Sequence, residues 1–186
     1  ASPTASPTAS PTNSQSSCSA RVMTAYDATY TRKTKNGIKE AKRILSEFVN
    51  ALPLGSGVSM GFLVLERYAA FEEVDVDSAD ANDSTLLLNV ISNLYKRNSD
   101  NTNMKELFTT YADKVSDVSI PSYIVLFTEG KAEGAARNNY AFVEAMKNRL
   151  GSAAPQVLCY QTLYWRKTDY LKNLCDRVIF QGSRKV

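Results

Sequence analysis

The apolar residues of the chain follow two periods that alternate along the sequence. Short, nearly uninterrupted apolar runs are typical of strands that are buried on both faces of a sheet. Longer stretches between them have apolar residues at every third or fourth position, as amphipathic helices do. The short runs predict strands at 22–26, 58–65, 68–76, 123–127, 156–160 and 177–180, and the longer stretches predict helices at 37–52, 84–95, 104–115, 139–150 and 168–175.

This alternation of strands and helices indicates the topology of the sheet. Successive βαβ units cross over in the right-handed sense and build a mostly parallel sheet with helices on both faces. We therefore predict a doubly wound α/β domain of six strands in the order 3-2-1-4-5-6. The third strand carries Glu72, Glu73 and Asp75, and charges of this kind are typical of an exposed edge strand.

Composition divides the 186 residues into a domain and two flanking segments. Residues 1–12 repeat Ala-Ser-Pro-Thr three times, and residues 1–17 as a whole have no large apolar side chain, so we predict a disordered Ser/Thr/Pro-rich linker at 1–17. The domain is predicted at 18–182 and a tail at 183–186. Regular Ser/Thr/Pro repeats are typical of glycosylated extracellular stalks, which predicts a secreted protein; a cytosolic linker is the alternative.

Charge and hydropathy exclude several classes of function. A formal net charge of +3 is too small to indicate nucleic-acid binding. No apolar stretch approaches the roughly 20 residues that a membrane-spanning helix needs. The chain has no histidine, which removes His-based catalytic triads and His-based metal sites. We therefore expect no nucleic-acid partner and no membrane insertion.

The three cysteines of the chain allow one disulfide. Cys18 precedes the first predicted strand and Cys175 ends the last predicted helix, so both are expected where the parallel strands begin. Cys159 lies inside an apolar strand, where side chains are typically buried among apolar neighbours. We therefore predict a Cys18–Cys175 disulfide and a free thiol at Cys159.

Oxygen-bearing side chains follow two strands that are predicted to be neighbours. Asp27, Thr29 and Thr31 follow the first strand at every second position, and alternate residues of an extended segment point to the same side. Residues 128–130, with the sequence Thr-Glu-Gly, follow the fourth strand. Ligands of such sheets bind beyond the carboxyl ends of the strands where the strand order reverses, which is here between the first and fourth strands. Carboxylates and hydroxyls are ligands that suit Mg²⁺ and Mn²⁺.

Residues 18–182 resemble the von Willebrand factor type A domain, also called the integrin I-domain fold. That family has a metal-ion-dependent adhesion site (MIDAS), with Asp-x-Ser-x-Ser after the first strand, a threonine before a later helix, and Thr-Asp-Gly after the fourth strand. Residues 27–31 resemble the first element, Asn-Thr-Asn at 101–103 the second, and residues 128–130 the third. The resemblance implies that a bound Mg²⁺ or Mn²⁺ is held by Asp27, Thr29, Thr31, Thr102 and Glu129.

The chain departs from the family pattern in ways that bear on the metal. Threonines replace both serines, Tyr30 stands where the family usually has a small residue, and Glu129 reaches one methylene further than aspartate. Mg²⁺ requires near-ideal octahedral geometry at about 2.0–2.1 Å. These changes leave two alternatives, a working cation site and a degenerate site that keeps only the fold.

The resemblance also implies a function, namely non-catalytic adhesion or binding to another protein or a matrix component outside the cell. Two alternatives remain: a Mg²⁺-dependent α/β enzyme that acts on a small anionic ligand, and a purely structural module of a matrix. Aromatic and basic residues follow the first, fourth and fifth strands, and such residues are typical of binding hot spots. They predict a partner surface formed by Tyr30, Lys131, Tyr164, Trp165 and Arg166.

Overall fold

A computed structural model describes residues 19–28, 37–66, 70–94, 104–114, 119–128, 136–161 and 169–180. The predicted linker at 1–17 and tail at 183–186 lie outside these residues. The described residues form β1 (Ala20–Asp27), α1 (Gly37–Ala51), β2 (Val58–Leu65), β3 (Ala70–Val74), α2 (Ser84–Ser92), α3 (Met104–Lys114), β4 (Ser122–Thr128), α4 (Ala136–Leu150), β5 (Gln156–Gln161), α5 (Asp169–Leu174) and β6 (Arg177–Phe180). Every predicted helix and strand is present, with its ends displaced by at most three residues.

The strands form one sheet in the order β3-β2-β1-β4-β5-β6. All neighbouring pairs are parallel except β2 and β3, which are antiparallel. The predicted strand order and the edge position of β3 are therefore confirmed. Because β1, β2, β4, β5 and β6 run in the same direction, they all end on one side of the sheet. We call that side the carboxyl end and the opposite side the amino end.

Helices cover both faces of the sheet, and each face has its own apolar core. Successive side chains of β1 belong alternately to the two cores because a strand points them in opposite directions. Met23 and Ala25 pack with residues of α3, α4 and α5, whereas Val22 and Tyr26 pack with residues of α1 and α2. We call these the α3 face and the α1 face. Within the described ranges, no helix is long and apolar enough to cross a membrane.

Local sequence sets the ends of two helices. Asp83 precedes α2, and its carboxylate accepts hydrogen bonds from the backbone N–H groups of Thr85 and Leu86. These N–H groups have no acceptor inside the helix, so the carboxylate stabilises the first turn. Gly151 follows α4 with a φ of 56°, a left-handed conformation that glycine adopts without strain and that ends the helix.

Helix α3 runs from the carboxyl end of the sheet back to the amino end. Tyr111, near its last turn, lies beside Ser122, the first residue of β4. Burial raises the pKa of the Tyr111 hydroxyl, and the neighbouring Ser122 side chain opposes that shift. The first residue of α3, Met104, is buried in the core of the α3 face. Since the last turn of α3 lies at the amino end of the sheet, its beginning is directed toward the carboxyl end.

The disulfide joins Cys159 to Cys175, with 5.8 Å between their Cα atoms. The predicted Cys18–Cys175 pair and the free thiol at Cys159 are therefore wrong, and Cys18 lies outside the described residues. Cys159 points to the α3 face, which α5 covers, and Cys175 follows α5 directly and is buried in the same core. The prediction overlooked that the end of a covering helix also reaches the strand beneath it.

Candidate functional site

Two polar side chains are buried where β1 and β4 end. Asp27 is the last residue of β1 and is 1% exposed, and Thr128 is the last residue of β4 and is 2% exposed. The strand order reverses between these neighbours, since β2 lies on the far side of β1 and β5 on the far side of β4. The two residues therefore lie at the crevice where open α/β sheets bind their ligands.

A hydrogen bond joins these two residues. The Thr128 hydroxyl donates to Oδ2 of Asp27 over 2.9 Å, although the residues are 101 positions apart in the sequence. Both occupy α3-face positions of their strands, so their side chains are on the same side of the sheet. Beyond Asp27, the backbone N–H of Ala28 donates to the Leu65 carbonyl at 3.0 Å. Sheet pairing therefore continues past the carboxylate and fixes its position.

A third buried polar side chain lies one strand further along. Gln161 ends β5, pairs in register with Thr128, and is fully buried. It shares the α3 face with Val157 and Cys159 of the same strand. Thr128 belongs to the Thr-Glu-Gly element noted in the sequence but is not among the predicted metal ligands, and Gln161 was not predicted as a site residue. Each is nevertheless a polar residue at the last inward position of an apolar strand, and that pattern identifies both.

Of the predicted metal ligands, the described residues include Asp27. The other predicted ligands lie outside the described residues; they are Thr29, Thr31, Thr102 and Glu129. The same holds for the predicted partner surface, which consists of Tyr30, Lys131, Tyr164, Trp165 and Arg166. Their convergence on one site stays a prediction.

The described part of the site offers oxygen atoms, which hard cations prefer as ligands. Asp27 supplies carboxylate oxygens next to a hydroxyl, and such oxygens suit Mg²⁺ and Mn²⁺. Among the residues that the structure describes, no three His, Cys, Asp or Glu side chains form a group that could hold a metal ion. A cation at Asp27 would therefore take its other ligands from residues outside the described ranges. The ligands predicted there are the hydroxyls of three threonines and the carboxylate of Glu129.

A second concave surface lies on the α1 face, over β4, β5 and β6. It is an apolar groove of about 590 Å³. Its walls include the stacked rings of Phe127 and Tyr160, whose centroids are 5.3 Å apart. The charged side chains among its described walls, Arg43 and Glu47, bind each other with 2.5 Å between nitrogen and oxygen. The groove offers apolar contact and differs in chemistry from the site at Asp27.

Comparison with known proteins places this geometry in a known fold. No protein-family model matches the sequence, and no curated protein matches it. Proximal thread matrix protein 1 from the mussel byssus, in a structure with a zinc-occupied MIDAS motif, aligns with a TM-score of 0.73 at 11% identity, over 90% of this chain and 42% of that one. The manganese-loaded TRAP protein of Plasmodium vivax aligns with a TM-score of 0.71 at 13% identity, over 89% of this chain and 69% of that one.

A third structure is a von Willebrand factor type A protein from Catenulispora acidiphila, with a TM-score of 0.65 at 13% identity, over 90% of this chain and 39% of that one. These similarities show that the chain has the von Willebrand factor type A fold, as the sequence motifs predicted. The chain spans less than half the length of the mussel and Catenulispora proteins.

Proposed function

We propose that the chain is a non-catalytic extracellular module that binds another protein or a matrix component through the carboxyl end of its sheet. The observation that carries this proposal is the buried Asp27 carboxylate, which lies where the strand order reverses and accepts a hydrogen bond from Thr128. Burial of a charge costs free energy, and a fold that did not use the charge could place an apolar residue there without that cost. A carboxylate buried beside a ligand crevice is therefore better explained by binding than by stability.

The proposed binding uses a divalent cation, Mg²⁺ or Mn²⁺. Asp27 supplies one ligand, and the remaining ligands are Thr29, Thr31, Thr102 and Glu129. When bound, the cation offers a coordination position to an acidic group of the partner. The zinc-occupied motif of the mussel protein and the manganese loading of the Plasmodium protein support a divalent cation in this fold.

Thr128 orients the Asp27 carboxylate for this task. Its hydroxyl donates to Oδ2, which limits rotation of the carboxylate about its last bond. An ionised carboxylate accepts through both oxygens, so the bond to Thr128 is compatible with a cation at the same group. The chain's own contribution is thus an anionic ligand held in one orientation before the cation arrives.

The two described polar side chains that share the carboxyl end with Asp27 support binding rather than catalysis. Thr128 offers a hydroxyl and Gln161 an amide, and neither serves as a general base near neutral pH. The chain also has no histidine, the side chain most often used for that role. The alternative of a Mg²⁺-dependent enzyme requires a proton-transfer group, and among the described residues neither Thr128 nor Gln161 supplies one.

Secretion is part of the proposal and rests on covalent chemistry. The Cys159–Cys175 disulfide is of a kind that persists in oxidising compartments and is rare in the cytosol. The Ala-Ser-Pro-Thr repeats at 1–12 are typical of extracellular stalks. Both features support a module that works outside the cell.

Calorimetric titration with Mn²⁺ tests the cation. We expect Mn²⁺ to bind the wild-type chain and Asp27→Asn to remove the binding, because asparagine lacks the charge. Asp80→Asn is the matched control, since Asp80 is an exposed aspartate on the short helix Ala79–Asn82. It should leave the affinity for Mn²⁺ unchanged. A folded wild-type chain that binds no Mn²⁺ would contradict the proposed use of a cation and favour the purely structural module.

The acidic partner group is tested with immobilised synthetic peptides. We expect peptides with a single aspartate to retain the protein in Mn²⁺ and to release it in EDTA, whereas their asparagine counterparts should not retain it. Equal retention by the two peptide sets would contradict recognition of an acidic group by the cation.

The partner surface is tested separately with Tyr30→Ala and Trp165→Ala. Large aromatic side chains bury much area at interfaces, so each change is expected to weaken partner binding by tenfold or more. The free energy of unfolding should stay close to that of the wild type. If Trp165→Ala lowers the free energy of unfolding by several kcal/mol and neither change alters binding, the partner docks elsewhere.

A further inference from the structure

An acceptor sequence for N-linked sugars lies at the junction of the short helix Ala79–Asn82 with α2. Residues 82–84 read Asn-Asp-Ser, and an asparagine followed two positions later by serine or threonine, with no proline between them, is such an acceptor. Elsewhere in the 186 residues, no asparagine is followed by serine or threonine at that spacing. Because a motif of three residues can arise by chance, its structural setting decides whether a glycan fits there.

The side chains of the acceptor sequence face solvent. Asn82, Asp83 and Ser84 are all exposed, whereas the preceding residue, Ala81, is fully buried in the core of the α1 face. The Asn82 amide is therefore outside the core, although the backbone next to it is anchored there. A glycan on this amide extends into water and displaces no core side chain.

Bonds made by Asp83 hold the backbone of this junction. Its N–H donates to the carbonyl of Asp80 at 3.0 Å. Its carboxylate accepts from the backbone N–H groups of Thr85 and Leu86 at 2.8 and 3.1 Å, which caps α2. These bonds belong to Asp83 and not to Asn82, so a sugar on the Asn82 amide leaves them intact.

The acceptor lies at the amino end of the sheet. The short helix begins two residues after Asp77, which binds Arg21 near the start of β1. The backbone oxygen of Asn82 lies 4.0 Å from the position that a Cβ atom would take on Gly55, in the turn before β2. Strands rise about 3.3 Å per residue, so Arg21 and Asp27 are about 20 Å apart along β1. A glycan on Asn82 is thus attached at the end of the sheet opposite Asp27.

We propose that Asn82 carries an N-linked glycan when the chain passes through a eukaryotic secretory pathway. The amide nitrogen of Asn82 bonds to the anomeric carbon of a lipid-diphosphate-linked oligosaccharide. The bond from that carbon to the diphosphate breaks, the lipid diphosphate leaves with the electron pair, and the amide nitrogen releases one proton. The inference rests on the secretion that is part of the proposed function. It adds that sugar covers the amino end while the carboxyl end stays open to a partner.

Secretion of the chain from cultured animal cells, directed by an added signal peptide, tests the acceptor. The wild-type chain is expected to migrate faster on denaturing gels after treatment with peptide N-glycosidase, which releases N-linked sugars and leaves O-linked sugars in place. Asn82→Gln and Ser84→Ala should abolish this change, because each destroys the acceptor sequence, whereas Ser84→Thr keeps the hydroxyl and should preserve it. Asn89→Gln is the matched control, since Asn89 is an exposed asparagine of α2 outside any acceptor sequence, and it should also preserve the change.

Peptide mass spectrometry locates the modification. The glycosidase converts a glycosylated asparagine to aspartate, and we expect this conversion at position 82. A secreted wild-type chain in which Asn82 is unmodified overturns the inference. A glycosidase-sensitive change in migration that persists in Asn82→Gln overturns it as well, because the sugar is then attached elsewhere.

The placement of the glycan is tested by calorimetric titration with Mn²⁺. Glycosylated wild type and Asn82→Gln from the same cells are expected to bind Mn²⁺ with equal affinity, because the glycan is attached at the end of the sheet opposite Asp27. A weaker affinity of the glycosylated chain would contradict an open carboxyl end. A chain that is glycosylated at Asn82 but binds no Mn²⁺ supports this inference and contradicts the proposed use of a cation.

Discussion

Strand β1 carries a buried charged side chain at each end, and the two ends use their charges differently. Arg21 and Asp27 occupy the same face of the strand, with two apolar residues between them on that face. At the amino end, Nε of Arg21 lies 2.8 Å from Oδ1 of Asp77, a side chain of opposite charge. At the carboxyl end, Asp27 accepts a hydrogen bond from the neutral hydroxyl of Thr128.

A second ion pair at the amino end involves Asp176, which lies just before β6. Its carboxylate accepts hydrogen bonds from Nζ of Lys147 at 2.6 Å and from the backbone N–H of Val157 at 2.8 Å. These bonds tie the turn before β6 to α4 and β5. Opposite charges at the amino end thus hold elements of the fold together. At the carboxyl end, by contrast, the Asp27 carboxylate accepts a hydrogen bond from the Thr128 hydroxyl, and we propose that it serves a ligand.

Burial of a charge therefore does not by itself identify its role. A buried ion pair and a buried ligand are both expensive to desolvate, but they respond differently to substitution. Removing one member of an ion pair leaves the other member without a partner of opposite charge. Neutralising a buried ligand instead removes the cost of burying its charge. Substitutions at the two ends of β1 are therefore expected to have different effects on stability.

Loss of the disulfide should have the largest effect on stability. Cys159→Ala combined with Cys175→Ala is expected to lower the free energy of unfolding by about 3 kcal/mol, because the bond closes a loop between residues 16 positions apart. Denaturant titration measures the change, and reduced wild-type protein is the control. The affinity for Mn²⁺ should not change. Non-reducing peptide mapping that linked Cys18 to Cys159 or Cys175 would contradict the pairing.

Disruption of the ion pair at the amino end should have the next largest effect. Arg21→Met is expected to lower the free energy of unfolding by about 2 kcal/mol, because Asp77 is left without its partner. The effect stays below that of a fully buried pair because the Asp77 side chain is 34% exposed. Arg21→Met combined with Asp77→Leu should recover part of the loss. No recovery in this double variant would show that Arg21 stabilises by packing and not by charge.

Neutralisation of Asp176 should have a smaller effect that depends on pH. Burial favours a higher pKa for this carboxyl, but the Lys147 ammonium and the Val157 N–H outweigh it and hold the pKa below its ordinary value of 3.8. The bonds therefore stabilise the fold above that ordinary value, and the stabilisation is lost as the pH falls through the lowered pKa.

Asp176→Asn is accordingly expected to cost about 1 kcal/mol at pH 7, since the partly exposed pair with Lys147 is screened by solvent. The difference from the wild type should shrink as the pH falls below 3.8. Thermal melts at several pH values measure this convergence. A difference that grew toward low pH would contradict the lowered pKa.

Neutralisation of Asp27 should have the smallest effect on the metal-free fold. Asp27→Asn is expected to change the free energy of unfolding by less than about 0.5 kcal/mol, because the asparagine oxygen still accepts from Thr128 and no charge is buried. Denaturant titration in EDTA checks this value. A loss comparable to that of Arg21→Met would place Asp27 among the structural charges.

The fold was predictable because its signals are local. The apolar run at 58–65 and the helical period at 37–52 each specify an element without reference to distant residues, and Glu72 and Glu73 mark β3 as an edge strand. Asp27 was predictable for the same reason, since it ends an apolar run. The order of these elements also predicts that Asp27 lies at the carboxyl end of the sheet.

The pairing of side chains across the fold was not predictable in this way. Cys175 reaches Cys159 because α5 lies over β5, a packing that no sequence period specifies. Thr128 and Gln161 join Asp27 in one row only after β1, β4 and β5 are aligned in register. Contacts that depend on the relative placement of three strands need the structure.

The most direct test of the different roles of the two ends of β1 compares Asp27→Asn with Arg21→Met. The free energy of unfolding of each is measured in EDTA and in Mn²⁺ at a hundredfold excess over Kd. We predict that Arg21→Met is less stable than the wild type in EDTA but gains the same increment from Mn²⁺, about 2.7 kcal/mol. Asp27→Asn should match the wild type in EDTA and gain nothing. Equal losses of both variants in EDTA, with no gain of the wild type in Mn²⁺, would contradict a binding role for Asp27.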